Sequence, residues 1–183
     1  VIIGAGAIGV EFSTIWNSYG TQVTIVEMLP RILPLEDEEV SRELAKQYTK
    51  RGIQLLTEHK VLSVEKNDHG VVVKVSGPDG EKTLEADQAL VAIGFKPNSA
   101  NLGLEKAGVE LNERGFIKVD ERMATNVPGI WAIGDVTGKL LLAHVASAQA
   151  MVCAESIAGV ETVTLDYTMM PRATFCQPQV ASF

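Results

Sequence analysis

The first residues of the chain, Val1-Ile2-Ile3-Gly4-Ala5-Gly6-Ala7-Ile8-Gly9-Val10-Glu11-Phe12, leave few folds open. Three apolar residues read as the end of a buried strand. Glycines follow in the G-x-G-x-x-G spacing, and a helical pattern opens behind them. Each glycine has a mechanical task in such a turn. Gly4 bends the chain off the strand, Gly6 lets a pyrophosphate approach the backbone, and Gly9 lets the helix pack close to the sheet. The unpaired amides and positive dipole end of that helix then face the phosphates. A structural turn without a ligand gives the same string, so the neighbouring sequence has to decide.

Gln22-Val23-Thr24-Ile25-Val26-Glu27 is a short β-branched run that ends in an acid. Glu27 lies about 20 residues past the glycines, where this fold places a carboxylate on the adenine ribose. Strand, glycine turn, helix, strand and acid fall in order within one ~30-residue βαβ unit, which selects a dinucleotide site. A carboxylate at that point favours NAD over NADP, whose phosphate it repels. Arg31, four residues on, is the nearby cation available to soften that preference.

The net charge of −7 and the lack of a Lys/Arg cluster argue against a nucleic-acid partner. Hydrophobic content of 46% and charged content of 21% fit a soluble globular protein. No apolar run reads as long enough to span a membrane, and none reads as a signal peptide. Cys153 and Cys176 are too far apart for a C-x-x-C motif and read as unpaired thiols of a reducing compartment. His59, His69 and His144 lack metal-ligand spacing. Val1 starts inside a strand and Phe183 follows a fresh strand-like start, so the chain reads as an interior piece of a longer protein.

Along the chain, Ala7 to Tyr19 reads as a helix with Ile8, Phe12, Ile15 and Trp16 packed on the sheet, stopped by Gly20. Met28 to Leu35 is a loop. Glu36 to Lys50 is a second amphipathic helix with acids at its start and bases at its end. Ile53 to Leu56 is a third parallel strand. Val61 to Lys66, Val71 to Ser76 and Lys82 to Glu85 then form an antiparallel meander in place of the next crossover helix. Gln88 to Gly94 returns to the main sheet, with Gly94 either a close approach to ligand or a simple turn. Glu105 to Gly108 is a helical turn, Phe116 to Val119 is strand-like, and a buried strand runs into Gly134-Asp135. Asp135 at that strand end either accepts hydroxyl hydrogen bonds from a sugar or sugar alcohol, or caps a helix. Leu141 to Gly159 is a long helix whose Ala143, Ala146, Ala148, Ala150 and Ala154 permit close packing. Thr162 to Leu165 is β-branched, and Tyr167 to Phe183 looks like the entry to another domain.

Gly4 to Glu11, the strand ending Val91-Ala92-Ile93-Gly94 with Pro97-Asn98, and Thr125…Ala132-Ile133-Gly134-Asp135 come in a telling order. Together they resemble the central part of an FAD-dependent pyridine nucleotide–disulfide oxidoreductase. Leu141-Leu142-Ala143-His144 and Asp166-Tyr167…Pro171…Phe175…Pro178 narrow the resemblance to the dihydrolipoyl dehydrogenase family, flavoenzymes of the 2-oxo acid dehydrogenase and glycine cleavage complexes. The resemblance covers essentially the whole chain. It implies that Gly4, Ala5, Gly6, Ala7, Ile8 and Gly9 hold the NAD pyrophosphate, with Val10 among the cofactor-binding residues, Glu11 near the nicotinamide and Glu27 on the adenosine ribose. It implies main-chain contacts to NAD from Val61 and Gly94. Asp135 would bind the ribityl or pyrophosphate side of FAD, and Leu141, Leu142, Ala143 and His144 would lie against the flavin. Phe95 stands where members commonly have Arg, and Val145 where lipoamide enzymes often have Lys.

The resemblance also places the first FAD glycine motif and a C-x-x-x-x-C redox disulfide before Val1, and a His–Glu acid–base pair after Phe183. No catalytic residue and no metal ligand is therefore expected in this stretch. The expected fold is α/β: a Rossmann-like parallel sheet with an antiparallel β-meander crossover, plus part of an FAD-binding domain. Residues 1–118 would be the NAD-binding domain, 119–160 the returning half of the FAD-binding domain, and 161–183 the start of a dimerisation domain. The parent would be a homodimer, cytoplasmic in a bacterium or in an organelle matrix, that oxidises dihydrolipoyl groups and passes hydride to NAD. The alternatives are another NAD(P)H-dependent disulfide or metal-ion reductase of the superfamily, or a catalytically empty nucleotide-binding module.

Overall fold

The structure, a computed structural model, describes residues 1–183. The chain forms two compact units, Val1–Gly94 with Ala173–Ser182, and Phe95–Arg172. This contact boundary after Gly94 precedes the functional boundary expected near residue 118.

The first unit is built on four short parallel strands: β1 (Ile2–Ile3), β2 (Thr24–Val26), β3 (Gln54–Leu56) and β7 (Leu90–Val91), in the order β3-β2-β1-β7. Ile2 pairs with Ile25 on one side and Leu90 on the other, and Ile25 with Leu55. Ile2, Ile25 and Val26 are buried, as the continuous apolar runs of a parallel sheet covered on both faces require. The expected meander is present as β4 (Lys60–Asn67), β5 (Gly70–Gly77) and β6 (Gly80–Ala86), all antiparallel. Its buried Val73 and Val75 join Ile3 and Val26 in one core cluster. The fold class expected from the sequence is the one observed.

Of the expected face of helix α1 (Ala7–Ser18), Trp16 packs on the core as expected, but the burial is centred elsewhere. Phe12 and Ile15 are 39% and 45% exposed, whereas Gly9, Val10 and Ser13 are buried. The cause is the closeness of the turn: a Cβ at Gly9 would overlap the Gly4 carbonyl. That approach turns the smallest residues of α1 toward the sheet. Phe12 instead leans on half-buried Trp16, ring centroids 5.3 Å apart. Helix α2 (Glu38–Lys50) starts behind Asp37, two residues later than expected, and buries Ser41, Leu44 and Tyr48.

Residues 173–182 complete this unit. Strands β8 (Arg172–Thr174) and β9 (Val180–Ser182) form a two-stranded ribbon. Cys176 and Val180 enter the core cluster of Val10, Leu44 and Tyr48. Arg51 Nη1 donates to the Gln177 carbonyl at 3.0 Å. The segment read as the entry to another domain is thus packed, over residues 173–182, on the first unit.

In the second unit the expected strands reduce to isolated bridges, Leu111 with Ile117 and Ala124 with Trp131. A strand needs a ladder of partners, and here the flanking amides turn to nearby loops instead. Lys118 N–H donates to Glu110 O and Thr125 N–H to Ile130 O, both at 3.0 Å. Short helix α3 (Leu104–Ala107) matches its expected turn. Helix α4 (Ala143–Ala158) begins two residues later than expected and closes at Gly159. Its buried face is Val145, Gln149, Val152 and Cys153, while Ala143 and Ala154 of the small-residue set are exposed. No helix of the protein is long and apolar enough to cross a membrane.

Candidate functional site

Because β1, β2, β3 and β7 run parallel, their carboxyl ends share one edge. That edge brings together Gly4, Glu27 and Gly94, which the sequence singled out separately. Gly4 has φ +100°, and a Cβ there would press on the Ala92 carbonyl at 2.5 Å. Its N–H donates to Val26 O at 2.8 Å, and Ala92 N–H donates to Ile3 O at 2.7 Å. Gly4 and Gly9 are therefore glycines for reasons internal to the protein.

Gly6 is different. It is the N-cap residue of α1 with φ −71° and ψ −177°, a conformation open to any residue. A Cβ there would meet nothing within 4 Å. What its missing side chain preserves is room above the start of α1. No side chain caps that start, so its first-turn amides stay available as donors.

Glu27 is held at the same edge by the glycine turn itself. Ala5 N–H donates to its Oε2 at 2.7 Å and Leu29 N–H to its Oε1 at 2.8 Å. A carboxylate offers about four lone-pair positions, so both oxygens retain capacity for ribose hydroxyls. His59 N–H donates to the Glu27 carbonyl at 2.9 Å, which starts the segment leading to Val61, half-buried against the cluster of Ile3 and Val26. Gly94 is exposed with φ +132°, and its backbone turn alone accounts for the glycine. Glu11, on the first turns of α1, accepts the Phe175 N–H at 2.7 Å. Ala7 is exposed, Ile8 half-buried and Val10 buried.

In the second unit Asp135 is exposed and sits second in a 3-10 turn, Gly134–Thr137, whose N-cap is Ile133. The helix-cap reading of Asp135 is therefore overturned. With Phe95, Lys96, Pro97, Asn98, Val136 and Leu141 it lines a cavity of about 300 Å³. Leu142 is the extended residue before α4, and Ala143 and His144 open that helix. His144 Nε2–H donates to the Pro171 carbonyl at 2.8 Å.

One polar residue of this unit was missed by the sequence reading. Gln149 is fully buried, accepts the Gly134 N–H on Oε1 at 2.6 Å, and donates from Nε2 to the Tyr167 hydroxyl at 3.0 Å. Its signal was legible: it is the lone polar residue on the apolar stripe Val145, Gln149, Val152. The two cysteines are both free and buried, and burial pushes the Cys176 thiol up, away from the nucleophilic thiolate.

The family model described as pyridine nucleotide-disulphide oxidoreductase matches residues 1–150. The chain belongs to that family. Relatives in the pyridine nucleotide–disulphide oxidoreductase family include the dihydrolipoyl dehydrogenase of Mycobacterium leprae, 57% identical over the whole of this chain and 39% of the relative. That of Corynebacterium glutamicum is 54% identical over the whole chain and 40% of the relative. The chain thus spans about two-fifths of the length of the curated relatives it matches. Among solved structures, the crystal structure of LpdA from Mycobacterium tuberculosis superposes with a TM-score of 0.90 at 32% identity, covering 98% of this chain and 39% of that one. The HOCl-induced flavoprotein disulfide reductase RclA from Escherichia coli superposes with a TM-score of 0.86 at 30% identity, covering 98% of this chain and 41% of that one. The resemblance drawn from the motifs is the one these comparisons show, and dihydrolipoyl dehydrogenases of the family use FAD and NAD.

Proposed function

We propose that this chain is the cofactor-binding centre of a flavoprotein that oxidises dihydrolipoyl groups and delivers hydride to NAD. The single observation that carries the reading is Gly6, a glycine that neither backbone angle nor packing requires. A pyrophosphate lying on the uncapped start of α1 supplies the missing reason. In this reading Ala7, Ile8 and Gly9 present the helix end, and Glu27 receives the adenosine ribose; Val10, expected among the cofactor-binding residues, is instead buried with its N–H on the Gly6 carbonyl. Glu11 lies toward the nicotinamide, and Val61 and Gly94 line the approach.

The cavity beside Asp135 is at the small end for a ligand site. It suits the ribityl chain of FAD rather than the whole group. Asp135 then accepts its hydroxyls, while Leu141, Leu142, Ala143 and His144 border the flavin. Bound there, flavin and nicotinamide carry the electrons and hydride. The chain's own residues orient the two groups, hold the ribose hydroxyls and keep the α1 amides clear. The dithiol substrate would be the lipoyl arm of a 2-oxo acid dehydrogenase or glycine cleavage complex, and the whole protein a homodimer of a bacterial cytoplasm or organelle matrix. The functional division at residues 118 and 160 belongs to the same proposal.

A second reading, another disulfide reductase of the family, draws on the likeness to RclA and on buried Val145, a position where lipoamide enzymes often have Lys. Calorimetric titration of NAD into the chain and its Gly6→Val variant tests the main reading. Valine accepts the extended backbone of residue 6, so folding should persist while NAD binding weakens at least about tenfold. Equal NAD affinity in the two proteins would remove the observation on which the reading stands.

A further inference from the structure

The buried glutamine of α4 has no role in the reading above, and its surroundings give it one. A polar side chain on an apolar helix stripe is unfavourable unless its groups are hydrogen-bonded, and both ends of Gln149 are. Its Oε1 takes the Gly134 N–H at 2.6 Å and its Nε2 gives to Tyr167 Oη at 3.0 Å. One turn earlier on the same face, Ala146 lies against Gly134, with 3.5 Å between its Cβ and a Cβ built on the glycine. The Gly134 carbonyl in turn accepts the Thr137 hydroxyl at 2.8 Å, and the Asp135 carbonyl accepts Gly138 N–H at 3.0 Å. Every polar group of Gly134 is thereby fixed, and with it the direction in which the next residue, Asp135, leaves the backbone.

The far end of the glutamine reaches a second segment. Tyr167 opens a 3-10 turn, Tyr167–Met169, capped by Asp166, which accepts the Thr168 N–H at 2.9 Å. His144, on α4 as well, holds the end of that segment through the Pro171 carbonyl. One helix thus grips the turn carrying Asp135 and the segment 166–171, and one side chain bridges them. Glutamine is a neutral donor and acceptor at once, so one side chain can serve both partners.

We propose that Gln149 is the positioning residue of the Asp135 turn, setting the aim of Asp135 toward the sugar-alcohol chain of FAD and coupling it to the seating of residues 166–171. This rests on the reading of Asp135 as a flavin contact.

The test uses the full-length flavoprotein, stripped of FAD and titrated with FAD by visible absorbance and flavin fluorescence. Amide hydrogen exchange at Gly134 is followed in parallel. Gln149→Met keeps length and apolar packing but loses both hydrogen bonds. It should weaken FAD binding and speed Gly134 exchange by about tenfold each. Tyr167→Phe leaves the Gly134 bond and should weaken FAD binding by about threefold. Gln149→Glu keeps the acceptor, with the Tyr167 hydroxyl turning to donate, and should return Gly134 exchange to within about threefold of the unmodified protein.

A residue that only fills space would leave the methionine variant unchanged in both readouts, and that result overturns the proposal. Should the methionine variant not fold, unaltered FAD affinity in Tyr167→Phe overturns the bridge to residues 166–171. An Asp135→Ala control separates the two readings. If it binds FAD normally, the flavin contact falls, and Gly134 exchange alone decides whether Gln149 holds the turn.

Discussion

Replacing Glu27 with alanine removes two hydrogen bonds at once, and their costs differ. Ala5 is fully buried, so its N–H, now 2.7 Å from Glu27 Oε2, would be left without a partner. An unsatisfied buried donor costs roughly 1–3 kcal/mol. Leu29 is 42% exposed, so water can replace Oε1 at its N–H with little loss. For a chain of this size each kcal/mol moves Tm by about 2–4 °C, so Glu27→Ala should melt roughly 2–12 °C below the unmodified protein. The coenzyme effect adds to this. Hydrogen bonds from ribose hydroxyls to a carboxylate are worth about 1.5–3 kcal/mol, so NAD should bind about tenfold to hundredfold more weakly.

NADP should respond differently, because its phosphate meets repulsion at Glu27 in the unmodified chain. Arg31 gives it little relief, since its Nη2 already donates to the Pro34 carbonyl at 3.2 Å. The unmodified chain should therefore prefer NAD by at least about tenfold, or ~1.4 kcal/mol. Glu27→Ala should lose most of that preference, and Glu27→Arg should reverse it, since guanidinium pairs well with phosphate. Thermal melts together with calorimetric titration of both coenzymes are the assay. An alanine variant that keeps both its Tm and the tenfold preference would refute the placement of Glu27 at the ribose and its role in holding the glycine turn.

Three further outcomes are expected. Gly9→Ala should lose at least about 2 kcal/mol of stability, because its Cβ would overlap the Gly4 carbonyl, backbone that cannot swing aside; urea unfolding showing no change would mean α1 can shift freely. Tyr48 is fully buried with its hydroxyl donating to the Val10 carbonyl at 2.7 Å, and burial pushes its pKa up from 10.0 to about 12. The folded state then keeps a proton that the unfolded state sheds, so stability is full below pH 10 and declines as pH climbs toward about 12. Tyr48→Phe should flatten that decline in denaturant titrations over the same interval. Amide exchange should be faster across residues 95–172 than in the sheets of residues 1–94, since the second unit has isolated bridges where the first has ladders; equal protection would contradict this.

The parts of the fold that were legible are those fixed by neighbours in sequence. The run from Val1 to Glu27 carries its own turn, helix and strand signals, and the meander declares itself through period-two valines between Gly-containing turns. The glycine turn at 4, 6 and 9 was legible for the same reason, and the structure forms it as a tight strand-to-helix turn. What was misread depends on distant partners. Phe12 and Ile15 have helical spacing fit for a core, but the contact of Gly9 with Gly4 decides which face of α1 is buried. Phe116–Val119 and Ile130–Ile133 have the composition of strands, yet a strand exists only where another lies beside it. Gln149 stands out as the lone polar residue on an apolar stripe, but its task does not, because its partners, Gly134 and Tyr167, lie 15 and 18 residues away on either side. Residues 173–182 gave no hint that their core lay some 130 residues back, with Tyr48.

That last contact sets an order of events during synthesis. The apolar surface of Val10, Leu44 and Tyr48 is made early, and the residues that finish covering it, Cys176 and Val180, come only after the whole second unit. At about 5–20 residues per second, those roughly 80 intervening residues keep that surface incomplete on the nascent chain for about 4–16 s. The second unit is in effect an insertion whose ends must be drawn together before the first can close. Lengthening it should cost little at equilibrium, since loop-closure entropy grows only logarithmically with length. Slowing translation through it would prolong the time for which an aggregation-prone face stays open.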